Sequence, residues 1–125
     1  MHRNVIRLGD QPTVLVDCGA ICRMLTHATG REPDAVLGKP NPRMLLGIMH
    51  RHKLKPSELA VVGDRLYTDM IMARAAGAVG ILVLTGETTR GEAENAAPRP
   101  SYILEDVGEL GRLLVRSRSR EAIKC

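Results

Sequence analysis

Apolar positions along this chain follow two alternating periods. Continuous runs at residues 59–62 and 79–84 have the form of strands buried on both faces, and shorter runs at 13–16, 35–37 and 102–104 read as brief strands. Between them the spacing turns helical. Residues 19–29 place Ile21, Cys22, Leu25 and Ala28 on one side and meet Gly30, a good C-terminal stop. Asn41-Pro42 has the form of a helix start, with Asn as N-cap and Pro at the first position. Met44, Leu45, Ile48 and Met49 form the stripe expected to be buried, and Pro56 stops a helix that ends by about Lys53. Residues 67–76 predict a helix closed by Gly77, in which Ala73, Ala75 and Ala76 allow a close approach to a sheet. A last helix is expected over 107–114, with Val107, Leu110, Leu113 and Leu114 inward. Residues 1–12 read as a loose polar lead-in, and 85–100 as a long loop or short helix of a length that is often functional or disordered. The alternation implies an α/β fold, a parallel sheet flanked by helices, with the strand at 59–62 central in this half.

Composition narrows the class. At 125 residues the chain has the length of one ordinary domain, and 44% hydrophobic with 26% charged residues suits a globular chain rather than a disordered one. Two Tyr with no Phe and no Trp leave the core to Leu, Ile, Val, Met and Ala, and argue against modules that bind nucleic acid by stacking bases. Net charge is +4, concentrated at His2, Arg3 and Arg7 and at Arg112, Arg116, Arg118, Arg120 and Lys124. The run at 115–120 has the charge to touch nucleic acid or acidic lipid, but its ordinary reading is a solvated, frayed tail over 117–125. No nucleic-acid partner is therefore expected. Cys18, Cys22 and Cys125 make neither a zinc nor a disulfide pattern, and His50 and His52, two apart, face different sides of a helix. With no apolar stretch long enough to span a membrane and no secretory signal, a cytoplasmic address follows by default.

Charge at the strand ends carries the chemistry. Leu59-Ala60-Val61-Val62-Gly63-Asp64 is an apolar strand ending in Gly-Asp, and Asp69 follows just past the turn. Ligands of open α/β sheets sit beyond the carboxyl ends of the strands, so two carboxylates there suit a hard cation such as Mg²⁺. Lys39, in Gly38-Lys39-Pro40-Asn41-Pro42, leaves another short strand at the start of a helix. Each piece has a bland counterpart: Asp64 as a helix cap, Asp69 as a helix-dipole partner, Lys39 as a solvated lysine. One ammonium and two carboxylates in register at one sheet edge instead suggest a phosphate held near a metal.

Those two stretches resemble the third and fourth motifs of the haloacid dehalogenase (HAD) superfamily. Gly80-Ile81-Leu82-Val83-Leu84-Thr85-Gly86-Glu87-Thr88-Thr89 is similar to subfamily IIA, the phosphoglycolate and para-nitrophenyl phosphatase type, and Gly19-Ala20-Ile21 with 28–33 resembles the end of that subfamily's cap insertion. The resemblance implies a Rossmann-like HAD core over 35–116, the end of a cap region and lead-in over 1–34, and a basic tail over 117–125. It implies a Mg²⁺-dependent phosphomonoester phosphatase in which an Asp attacks phosphorus to form an aspartyl-phosphate. Lys39 would neutralise nucleophile and phosphate as a catalytic and substrate-binding residue. Asp64 would bind Mg²⁺ directly, and Asp69 would support it through water or by orienting its neighbours. Asn41 is a candidate substrate contact, with capping as its simpler role, and Thr85 and Gly86 would shape the mouth.

The family's nucleophile is the first Asp of an Asp-x-Asp motif, and that motif does not occur here. The nearest imitation is Val14-Leu15-Val16-Asp17-Cys18-Gly19, which has Cys18 in place of the second acid. The chain therefore reads as a C-terminal half, inactive alone: a fragment, a short gene product or a degenerate paralogue. The alternative is a non-catalytic interaction protein on the same scaffold. A doubly wound signalling domain fits less well, since Asp10 and Asp17 are poorly placed to be phosphorylated. In the family the nucleophile strand pairs beside the strand matching 59–62, so its absence leaves an open apolar edge. The expected partners are a phosphorylated small molecule for the intact enzyme, and a second copy or a chain supplying the missing half. The cap chooses the substrate, so its identity is not readable here.

Overall fold

The computed structural model describes residues 5–7 and 14–122, with side chains over 16–119. Residues 1–4, 8–13 and 123–125, which include His2, Arg3, Asp10, Lys124 and Cys125, lie outside the described residues. Strands β1 (Val5–Arg7) and β2 (Val14–Val16) pair antiparallel, with Val5 opposite Val16. The loose lead-in expected over 1–12 is thus corrected at 5–7, where β-branched Val5 and Ile6 favour a strand once a matching apolar run follows. Asp17 caps helix α1 (Cys18–Thr29) by accepting the Cys18 N–H at 2.7 Å. Gly30 ends it in the left-handed conformation, φ 68°, donating its N–H to the Thr26 carbonyl at 2.8 Å. The apolar side of α1 finds no core: Ile21, Met24 and Leu25 are exposed, and Gly19 is its buried residue.

Residues 35–37 are irregular rather than a strand, and Val36 and Leu37 are exposed. Three residues without a neighbouring strand cannot satisfy their backbone groups by pairing, and the Val36 carbonyl instead accepts from the Asn41 side chain at 2.6 Å. Helix α2 (Arg43–His52) starts one residue later than expected, with Pro42 at the cap position, while Asn41 Oδ1 accepts the Arg43 N–H at 3.0 Å. Its expected stripe is only half right. Leu45 and Met49 are buried, while Met44 and Ile48 are exposed. After a short turn at Pro56–Glu58 comes β3 (Ala60–Gly63), followed by a π-helical turn (Leu66–Met70) that runs into α3 (Ile71–Ala75). Then follow β4 (Val79–Val83), α4 (Arg90–Glu94), β5 (Tyr102–Leu104) and α5 (Val107–Ala122). Helix α4 rests on a capping box. Thr89 Oγ1 accepts the Glu92 N–H at 3.3 Å, and the Glu92 carboxylate accepts the Thr89 N–H at 2.8 Å. Helix α5 extends well past 114, into the basic run expected to fray. The residues that carry it on are mostly Arg, Ser and Glu, with no Gly or Pro to stop them.

The parallel sheet has the order β3-β4-β5, with Val61 beside Gly80 and Leu82 beside Ile103. Among the described residues the central strand is therefore β4, not the strand at 59–62, and β3 is an edge. This explains why β4 is buried on both faces while Val62 of β3 stays 40% exposed. One face of the sheet carries α2, the π-turn, α3 and α4: Val61 packs with Leu45, Met49, Met72, Ala73 and Ala76, and Leu82 with Met70 and Ala93. On the other face Ile81, Val83 and Leu104 meet Leu110 of α5. The rest of the stripe expected on α5, Val107, Leu113 and Leu114, is exposed. Among the described residues, no helix is long and apolar enough to cross a membrane.

Leu82 is fully buried at 0% exposure. We expect Leu82→Ala to cost about 2–5 kcal/mol in urea denaturation. The exposed Met44→Ala should change stability by no more than about 0.5 kcal/mol. Equal effects would contradict this placement of the core.

Candidate active site

The carboxyl edge of β3 gathers the charged residues. The π-turn forms as the Met70 N–H reaches back five residues to the Arg65 carbonyl at 3.2 Å, while the Asp69 N–H meets the same carbonyl at 3.1 Å. The wider turn points Thr68, Asp69 and Met70 inward together, and all three are buried. The Asp69 carboxylate lies against the backbone of Gly63: a Cβ at Gly63 would fall 2.4 Å from Asp69 Cβ and Cγ. Lys39 Nζ meets Asp69 Oδ1 at 2.8 Å, from a side chain 45% exposed to one 5% exposed. The ammonium thus has one side on a buried carboxylate and the other toward solvent. The Thr68 hydroxyl lies 3.4 Å from Asp69 Oδ2.

Asp64, the residue after β3, is tied to the segment beyond β4. Its Oδ2 accepts the Glu87 N–H at 2.9 Å, and its backbone carbonyl accepts the Thr88 N–H at 3.2 Å. Gly86 is required there, since a Cβ on it would fall 2.1 Å from Asp64 Oδ2. Glu87 Oε2 meets Arg65 Nε at 2.9 Å and accepts from the Tyr67 hydroxyl at 2.7 Å. This network was not legible in the sequence; the Thr85-Gly86 pair signalled only the mouth of the site.

The structure therefore brings Lys39 and Asp69 into contact and sets Asp64 one residue from the glycine that Asp69 packs on. Asn41 behaves as a staple. Its amide bonds Arg43 N–H and the Val36 carbonyl, and its own N–H bonds the Gly38 carbonyl at 3.0 Å, closing the turn that presents Lys39. Asp17 lies elsewhere, at the end of the antiparallel hairpin rather than at the edge of the parallel sheet. Beside it, the Cys18 thiol is pushed above its ordinary value, first by its hydrogen bond with Cys22, then by that thiol's charge, by desolvation and by the Asp17 carboxylate.

The donor set fits Mg²⁺ in one specific way. Asp64 Oδ1 accepts no hydrogen bond from the described residues, whereas both Asp69 oxygens have donors nearby. No group of three or more His, Cys, Asp or Glu is placed to hold a metal among the described residues. One carboxylate oxygen suits an ion that keeps most of its waters. A concavity of about 900 Å³ lies between the π-turn, α3 and residues 96–101, with Tyr67, Met70 and Gly80 among its lining. None of Lys39, Asp64 and Asp69 lines it.

The two close approaches generate a test. Gly63→Ala and Gly86→Ala should each destabilise by about 1–3 kcal/mol, as overpacking does. A Cβ at Gly47 or Gly111, both inside helices, meets nothing within 4 Å. Gly47→Ala and Gly111→Ala should therefore stabilise by about 0.5–1 kcal/mol. Denaturation curves for all four check the packing.

Comparison with known proteins bears on the fold and the family. The sequence profile of the HAD-hydrolase-like family matches residues 36–110. Ribonucleotide monophosphatase NagD of Escherichia coli K12 is 34% identical over 93 residues, covering 74% of this chain and 37% of that protein. The solved structure of a 4-nitrophenylphosphatase from Thermotoga maritima superposes with TM-score 0.72 at 37% identity, over 88% of this chain and 41% of that one. A glycerol phosphate phosphatase from Mycobacterium tuberculosis, solved in complex with magnesium, gives TM-score 0.63 at 36% identity, over 81% of this chain and 30% of that one. The chain thus spans well under half the length of these relatives. On its motifs, its parallel sheet and this match, the chain belongs to the HAD-hydrolase-like family.

Proposed function

We propose that this chain forms the phosphate- and metal-holding half of a Mg²⁺-dependent phosphomonoester phosphatase. The observation that carries the reading is the half-exposed Lys39 ammonium anchored on buried Asp69, beside Asp64 at the same sheet edge. A phosphate dianion entering there meets a cation already oriented, so little side-chain entropy is lost on binding. Asp69 sets the position of Lys39 through their 2.8 Å contact. Asp64 offers its second oxygen to the ion. When bound, Mg²⁺ would polarise the phosphoryl oxygen and offset the charge of an attacking carboxylate. Asn41 contributes by closing the turn under Lys39. The magnesium complex of the glycerol phosphate phosphatase supports the choice of ion.

The attacking carboxylate has no counterpart at this edge among the described residues. We take the open side of β3 as the place where a further parallel strand docks, carrying the nucleophile at its carboxyl end. Three features support that occupant. Val62 is exposed on a strand that has a neighbour on one side only, among the described residues. The apolar side chains Leu37, Met44 and Ile48, in the segment leading to that strand, lie uncovered. The relatives also contain far more chain than is matched here.

We expect negligible hydrolysis of a generic phosphomonoester by this chain with excess Mg²⁺, because loss of a covalent nucleophile costs several powers of ten. Robust turnover that vanishes in Asp17→Asn would overturn the reading. By titration calorimetry, Asp64→Asn should weaken Mg²⁺ binding more than Asp69→Asn does, and the reverse order would reassign the ligand. The open edge predicts association as well: sedimentation at micromolar concentration should show self-associated species. A monodisperse, cooperatively unfolding monomer would mean that the edge of β3 needs no partner.

A further inference from the structure

We infer that Glu87 is a positioning residue for Asp64. It clamps the segment after β4 to the segment after β3, and its own backbone N–H then fixes which carboxylate oxygen of Asp64 is left for the ion. The inference rests on the reading of Asp64 as the ion's ligand. Asp64 lies half-buried at a strand end, and the terminal torsion of an aspartate is broad and roughly two-fold. Left alone, its two oxygens would exchange roles. The Glu87 N–H, 2.9 Å from Oδ2, selects one of them.

That donor holds its place only if the backbone at 86–88 does. The Glu87 side chain supplies the constraint, since one oxygen, Oε2, meets Arg65 Nε at 2.9 Å and the Tyr67 hydroxyl at 2.7 Å. Both donors lie just after Asp64 in sequence, so the clamp and the residue it serves share one short stretch of chain. The Thr88 N–H, on the Asp64 carbonyl at 3.2 Å, is a second attachment of the same two segments. Gly86 lets the peptide approach closely enough for the Glu87 N–H to reach Oδ2.

Charge explains why an acidic side chain is tolerated so close to a cation-binding carboxylate. The Arg65 and Glu87 side chains are mostly buried, at 23% and 13% exposure, and in contact. The carboxylate of Glu87 is thus offset by the guanidinium it contacts, and the clamp adds no net charge beside Asp64. Groups that orient a ligating carboxylate typically change metal affinity by about 10–100-fold when lost.

The test uses this chain and two readouts. The first needs no metal: amide hydrogen exchange followed by NMR. In Glu87→Ala the amide of residue 87 should exchange about tenfold faster, as local opening predicts, while the Leu82 amide keeps its rate. Glu87→Gln keeps an acceptor for both donors and should stay near the wild-type rate, and Tyr67→Phe should fall between. The second readout is Mg²⁺ titration. Glu87→Ala should bind at least about tenfold more weakly, with Glu87→Gln recovering part of the loss, since it restores the acceptor but not the charge that offsets Arg65. An unchanged rate at residue 87, or a rise matched at Leu82, would overturn the clamp. If Glu87→Ala fails to fold, the same comparison is read from Glu87→Gln and Tyr67→Phe. The two readings fail separately: Mg²⁺ binding indifferent to Asp64→Asn removes the metal assignment, while the metal-free exchange data still decide the clamp.

Discussion

A carboxylate buried at the end of a parallel sheet is costly unless a cation meets it, and that requirement shapes this fold. The Asp69 side chain is 5% exposed and has Lys39 at 2.8 Å. Its position demands a π-turn instead of an ordinary helix start, because three successive residues must face inward. It demands Gly63, because any side chain there would occupy the space of Asp69. It also demands a fixed turn thirty residues upstream, closed by Asn41, so that Lys39 arrives at the right place. Local geometry in three separate segments thus answers to one ion pair. The same pair leaves an ammonium facing outward, which is what an incoming phosphate needs.

Around that edge the packing is uneven, and the unevenness has a physical pattern. The central strand is covered on both faces, and the helices between α2 and α4 pack tightly on one of them. Apolar residues left in solvent collect on α1, on the outer part of α2, on α5 and on β3. Large contiguous apolar surface is uncommon on a self-sufficient domain. In a chain that spans well under half of its relatives, the uncovered surface is consistent with a sheet that continues. The non-catalytic reading draws on the same surface, since an open edge and bare stripes suit a protein-binding scaffold equally well. The charged edge favours the catalytic one, because binding a partner strand does not require a lysine oriented on a buried aspartate.

Much of this was written in the chain. Unbroken apolar runs marked β4 and β3, because strands buried on both faces need no polar alternation. Asn41-Pro42 and Gly30 marked helix ends, because capping is a matter between near neighbours in sequence. Gly-Asp after an apolar strand, with Lys39 upstream, marked the edge where charge collects. The capping box of Thr89 and Glu92 that starts α4 went unread in a segment expected to be a long loop or short helix.

What tertiary structure alone decided was which of these features meet. Periodicity names an apolar stripe but not its partner, so Met44, Ile48, Leu113 and Leu114 looked as buried as Leu45 and Leu110. Strand order placed β4 rather than β3 at the centre, since pairing depends on contacts between distant segments. Residues 35–37 formed no strand, since among the described residues no neighbour pairs with them. The bonds from Arg65 and Tyr67 to Glu87 span about twenty residues of chain, and no local rule predicts them. The sequence determined the elements, their caps and the kinds of charge, because those follow from neighbours along the chain. The arrangement of the site needed the fold, because distances between remote side chains exist only once the chain is packed.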